Sequence, residues 1–143
     1  MAALSAGEIT GGEVIVLRGL GARGGPGVAS ASWFVAAING TDLGKDIAVI
    51  TDGQLSGLNR GFTIGQVMPE AADGGPIALV RDGDQVFINV AERKVMLEID
   101  AAELAARQAA YVPFVPSEKR GWLRIYQHMV QPLTRGGTLK PRP

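Results

Sequence analysis

The sequence predicts a single α+β domain made of short strands, many loops and a few helices. Three observations carry that reading. Glycine accounts for 20 of 143 residues, about twice its ordinary share, which means tight turns and close backbone approaches. Short apolar runs rich in β-branched residues recur between the glycines, as buried strands do. Three segments instead carry helical spacing with stop signals. The length suffices for one hydrophobic core.

Residues 2–12 are small and polar, a loose lead-in or the end of a helix. Residues 13–18 (Glu-Val-Ile-Val-Leu-Arg) are the first strand, apolar through the middle and so expected to be covered on both faces. Residues 19–27 hold five glycines in nine positions, a density that no helix or strand survives. They form a loop, and one so poor in side chains is expected to wrap something closely. No Lys-Ser/Thr follows as in a phosphate-binding loop, and Pro26 with the extra glycines spoils a dinucleotide fingerprint. Residues 29–38 read as a helix, with Trp33 and Ala37, and Phe34 and Ile38, stacked at i,i+4 and Asn39-Gly40 as its stop.

A turn over residues 42–45 leads into a buried strand at residues 47–50. Residues 60–65 are punctuated by glycine and suit the opening of a helix. A short strand is expected from residue 65, then a turn or single helical turn starting at Pro69. Residues 77–80 read as another buried strand. Residues 85–90 and 95–99 pair as a hairpin across the charged turn 91–94. Asp100 is placed to cap a helix, with Glu103 reaching back as in a capping box, and good helix formers continue to Ala110 before Pro113 and Pro116. Residues 121–130 give a further helix, with Trp122, Ile125, Tyr126 and Met129 at i, i+3, i+4 and i+7. Residues 134–143 are expected to be a flexible tail.

Composition excludes several functions. Fourteen basic residues balance fourteen acidic ones, so the chain lacks the electrostatic footprint of a nucleic-acid binder. No apolar run reaches membrane-spanning length. The first residues have neither a basic leader nor a long apolar stretch, which predicts a cytoplasmic rather than secreted chain. Cysteine is absent, so the chain itself offers no disulfide, no thiol nucleophile and no cysteine ligand for an iron–sulfur cluster.

The candidate chemistry sits after the central strand, in Thr51-Asp52-Gly53-Gln54-Leu55-Ser56-Gly57. A glycine beside a serine lets the backbone take positive φ and brings amides close to a ligand. Strand, sharp turn, exposed serine and backbone donors suit a reactive hydroxyl or an anion site; they equally suit a surface turn that needs small residues. Asp52 is expected to hold the loop by an Asx-type bond, with a ligand role as second choice. His128 has no second His, Cys or paired carboxylate at helical spacing and reads as a surface or packing residue. A serine triad would have His128 alone to draw on, and no G-x-S-x-G elbow is present. Asp82 and Asp84 cap a turn, and Glu92 to Lys94 form a solvated hairpin tip.

Several stretches carry a likeness to a known family: residues 14–18, Gly24-Gly25-Pro26-Gly27, Ala48-Val49-Ile50-Thr51-Asp52-Gly53, Leu55-Ser56-Gly57, Arg60-Gly61 and residues 103–107. The most specific is Pro69-Glu70-Ala71-Ala72-Asp73-Gly74-Gly75-Pro76-Ile77-Ala78-Leu79-Val80-Arg81-Asp82-Gly83-Asp84. Along nearly its whole length the chain resembles the C-terminal domain of the dihydroxy-acid dehydratase family, which also takes in phosphogluconate and sugar-acid dehydratases. The branched-chain biosynthetic members resemble it most. The resemblance implies a swivelling-type domain, a β-barrel-like core of mixed strands with flanking helices.

It implies a hydro-lyase that converts a 2,3-dihydroxy acid, a branched-chain precursor or a sugar acid, into a 2-oxo acid. In that family a cysteine-bound iron–sulfur cluster takes the C3 hydroxyl, magnesium holds the carboxylate end, and a serine alkoxide removes the C2 proton. The serine maps onto Ser56, with Gly53, Gly57 and Arg60 expected at the substrate. The implied partners are the dihydroxy acid and a cluster-bearing N-terminal domain or subunit, and a homo-oligomer is compatible with both. The departures gather at the site: Ser30 stands at a magnesium-binding glutamate, Gln54 at an arginine, Gln66 at a histidine and Leu20 at a second acid. No metal ligand is therefore assigned to this chain. The alternative reading is a degenerate, non-catalytic domain that binds a small acid or a partner protein.

Overall fold

The computed structural model describes residues 1–116 and 118–140. Helix α1 (Ala2–Ser5) precedes strand β1 (Val14–Leu17), and helix α2 (Ser32–Asn39) follows the glycine-rich loop. Strand β2 (Ala48–Thr51) lies between β1 and strand β3 (Phe62–Ile64), and both pairings are parallel. Strands β4 (Val86–Asn89) and β5 (Lys94–Leu97) form an antiparallel hairpin with Val86 opposite Leu97. Helices α3 (Ala101–Ala109) and α4 (Trp122–Met129) complete the order. The class is α+β as expected. The five strands form two separate small sheets, however, and among the described residues no barrel closes.

The core lies where α2 covers the parallel sheet. Phe34, Val35 and Ile38 are buried with Ile47 and Val49, and Leu4, Ile9, Ile15, Leu17, Leu43 and Leu55 pack against them. The stacking at i,i+4 thus resolves into two fates: Phe34 and Ile38 go inward, while Trp33 stays 63% exposed. β2 is the central strand and Val49, Ile50 and Thr51 are buried, whereas β1 is half-buried throughout because it is an edge.

Three expectations are corrected. Residues 60–65 open no helix: Phe62-Thr63-Ile64 are β-prone, and Gly61 sits at φ +80°, so the segment joins the sheet as β3. The short strand placed from residue 65 accordingly lies just before it. Residues 77–80 are not a strand but the body of a 3-10 turn, Pro76–Leu79, with proline in its first turn. Carbonyls that a sheet would have satisfied are taken by arginines: Arg18 donates to the oxygens of Ile77, Ala78 and Val80 at 3.3, 2.9 and 2.7 Å, and Arg107 to that of Leu79 at 3.0 Å.

The capping box is half made. Asp100 accepts from the Glu103 amide at 2.7 Å, but the Glu103 carboxylate turns to Arg81 at 3.1 Å and Arg107 at 2.7 Å. Arg107 also forks onto both oxygens of Asp84, at 2.5 and 2.9 Å, tying α3 to the turn before the hairpin. On α4 three apolar residues lie outward, Trp122 82%, Leu123 49% and Ile125 48% exposed, while Tyr126 and Met129 are half-buried and Gln127 is fully buried and donates to the Arg23 carbonyl at 2.9 Å. Of the tail expected to be flexible, residues as far as Lys140 fold back: Gln131 donates to Thr138 O and Lys140 to Met129 O, each at 2.9 Å. Residues 141–143 lie outside the described residues.

Candidate functional site

Because β1, β2 and β3 run parallel, the segments that follow them leave the sheet at one end. In open parallel sheets that carboxyl end is where ligands bind, and Gly53, Ser56 and Gly57 follow β2 there, while Arg60 lies two residues before β3, at the end where that strand begins. Two non-glycine residues there hold left-handed backbone, Val28 at φ +64° and Gln66 at φ +55°, which costs energy that only surrounding structure can offset.

Asp52, the residue after β2, is fully buried. Its carboxylate accepts from the amides of Gly19, Leu20 and Ala71 at 3.0, 2.9 and 2.9 Å. Its reach is therefore to distant loops rather than to its own turn. Glu70 is fully buried too, accepting from the amides of Arg23 at 2.9 Å and Gly24 at 2.9 Å. Burial, opposed in part by those two hydrogen bonds, pushes the Glu70 carboxyl above its usual range. What the glycine-rich loop wraps is thus the chain's own acids. A side chain on Gly21 would fall inside the Glu70 carboxylate, so only glycine fits there. The sequence reading assigned Glu70 no role, and no local signal marks it, since its partners lie more than forty residues away.

Gly53 is required by contact: a Cβ would lie 2.6 Å from Leu20 Cβ and 2.7 Å from the Ala29 oxygen. Gly57 differs. It is exposed, nothing lies within 4 Å of its notional Cβ, and its φ is outside the left-handed region. Between them Ser56 is exposed. Its amide donates to Ser32 Oγ at 2.7 Å and Asn59 Oδ1 at 2.8 Å. Its hydroxyl donates to Asn59 Oδ1 at 3.2 Å and accepts from the Leu58 amide at 3.3 Å. Arg60 is exposed, and its carbonyl accepts from Asn39 Nδ2 at 3.2 Å. Gly53, Ser56 and Gly57 thus follow β2 directly, whereas Arg60 stands just before β3 against Asn39 at the last residue of α2, and exposed His128 lies on α4.

The donor set does not fit the metal groups considered above. There is no cysteine for a cluster, and among the described residues no three His, Cys, Asp or Glu side chains gather as cation ligands. Asp52 has both oxygens engaged by amides, and Ser30 Oγ accepts from the Ser32 amide at 3.2 Å. A neutral hydroxyl is a poor ligand for a hard dication.

A family model described as dihydroxy-acid/6-phosphogluconate dehydratase C-terminal matches residues 1–137. The chain belongs to that family. Named dihydroxy-acid dehydratases align along almost all of it: one from Ignicoccus hospitalis is 46% identical over 138 residues, 96% of this chain, and one from Lachnospira eligens 44% identical over 140 residues, 98% of it. One from Clavibacter michiganensis is 44% identical over 136 residues. The chain spans about a quarter of the length of these relatives, 24–25%. Among the described residues no helix is long and apolar enough to cross a membrane.

Proposed function

We propose that residues 1–143 act as one domain, the C-terminal lobe of a cytoplasmic hydro-lyase that dehydrates a 2,3-dihydroxy acid to a 2-oxo acid, working only when joined to a cluster-bearing N-terminal domain or subunit. The observation that carries this is the exposed Ser56 hydroxyl at the carboxyl end of a parallel sheet, in a chain of the dehydratase family. Asn59 Oδ1 orients the hydroxyl proton and the Leu58 amide points at Oγ, where it would stabilise negative charge on the oxygen that takes the C2 proton. A free hydroxyl is far too weak a base for that step, and the remaining activation lies outside this chain. Gly53 and Gly57 frame the serine for the substrate, and the exposed Arg60 side chain supplies a cation from the segment that enters β3. Which dihydroxy acid fits, branched-chain or sugar-derived, is decided by assay.

A second reading, a non-catalytic domain that binds a small acid or a partner, is favoured by the misfit of the donor set to magnesium. Co-expression with a cluster-bearing lobe and assay for 2-oxo acid separates the two. The dehydratase reading expects turnover from the pair, none from the isolated chain even with iron, sulfide and magnesium, and none from the pair carrying Ser56→Ala. Unchanged turnover in that variant would remove Ser56 as the base; a pair that binds the acid without turnover supports the second reading.

A further inference from the structure

Main-chain amides curled around an anion are a device by which proteins hold the phosphates and carboxylates of ligands. Here the anion is internal. Asp52 draws in the amides of Gly19, Leu20 and Ala71, and Glu70 those of Arg23 and Gly24. Among the described residues neither acid forms an ion pair, and the Arg23 guanidinium turns to Asp73 at 3.1 Å and the Ala72 carbonyl at 3.3 Å. The loop they hold meets the Ser56 segment directly by contact and, through residues 29–32 that follow it, by hydrogen bonds; the Ala29 amide donates back to Gly25 O in the loop at 3.2 Å. Leu20 lies against Gly53, Gln54 exchanges hydrogen bonds with Ala29 O and the Ala31 amide at 3.0 and 2.9 Å, and Ser32 Oγ receives the Ser56 amide.

We infer that Asp52 and Glu70 are positioning residues, built-in anions that fix the loop over residues 19–27 and through it the backbone of the Ser56 turn, with no divalent cation taking part. Asp52 already accepts three buried amides and Glu70 two, and among the described residues no further acid joins either of them in the cage of oxygen ligands that a hard cation takes. The inference goes beyond the dehydratase reading and does not need it, because no proton abstraction enters it.

The test uses the chain itself: amide hydrogen exchange under native conditions with increasing denaturant, and thermal melting with millimolar magnesium or a chelator. The amides of Leu20, Arg23, Gly24 and Ser56 are expected to exchange through one shared opening, below the opening of Val49 and Ile50. Neither magnesium nor chelator should shift exchange or melting. Glu70→Gln puts two donors where an acceptor stood and should speed exchange at those amides about tenfold or more, with β2 still protected. A Ser56 amide that opens separately from Arg23 and Gly24, or is unmoved in Glu70→Gln, overturns the positioning role. A saturable rise in melting temperature with magnesium overturns the cation-free claim. Should Glu70→Gln fail to fold, the unaltered chain's exchange pattern and magnesium titration still decide. An inactive pair leaves these readouts as they are, so the two readings fail separately.

Discussion

A methyl group added at Gly53 would press on Leu20 Cβ at 2.6 Å and on the Ala29 carbonyl oxygen at 2.7 Å, neither of which is the loose end of a long side chain. Gly53→Ala is therefore expected to cost about 1–3 kcal/mol in denaturant unfolding, as overpacking does. Gly57→Ala meets open space at an unstrained φ and should be neutral, or stabilising by up to about 1 kcal/mol through the unfolded chain. The serine between them needs few partners for stability. Ser56→Ala should shift unfolding by less than about 1 kcal/mol, and under the proposed dehydratase function it should abolish turnover of the co-expressed pair, so that activity and folding part company in one variant.

Strands β1 and β2, the hairpin and α3 were all legible in the sequence, because each is announced by its own residues: a β-branched run, a charged turn between alternating segments, an Asp cap that does accept from Glu103. The turn Pro76–Leu79 was not, since Ile-Ala-Leu-Val is apolar enough for a strand and its fate rests on Arg18 and Arg107, distant in the chain. At the site, the glycine-framed Ser56 stands out in the sequence as a candidate, yet the hydrogen bonds of Glu70 depend on a loop that reaches it only after folding. The clasp that seats α3 also makes a pH prediction. Hydrogen bonds from Arg107 hold the Asp84 carboxyl at about 2, below its ordinary 3.8. A depressed carboxyl contributes stability that is complete above the ordinary value and lost as pH falls toward the depressed one. Urea midpoints should therefore drop as pH falls from about 4 toward 2, and Asp84→Asn should flatten that part of the curve.

Taken whole, the molecule leaves large apolar side chains in solvent. Trp122 is 82% exposed, Val115 79%, Val112 78% and Trp33 63%, and the relatives the chain matches are about four times as long. Both tryptophans of the chain should thus emit as hydrated indoles. Adding a cluster-bearing lobe should shift emission to the blue, and Trp33→Phe and Trp122→Phe would show which face becomes covered; no shift with either tryptophan would place the contact elsewhere.

The parallel register of the sheet, with Val14 beside Ala48 and Ala48 beside Phe62, has a kinetic corollary. The first strand is made well before its neighbour exists, and each crossing must be closed before its own pair of strands offsets the chain entropy lost. Refolding from denaturant should accordingly run in milliseconds to seconds rather than microseconds.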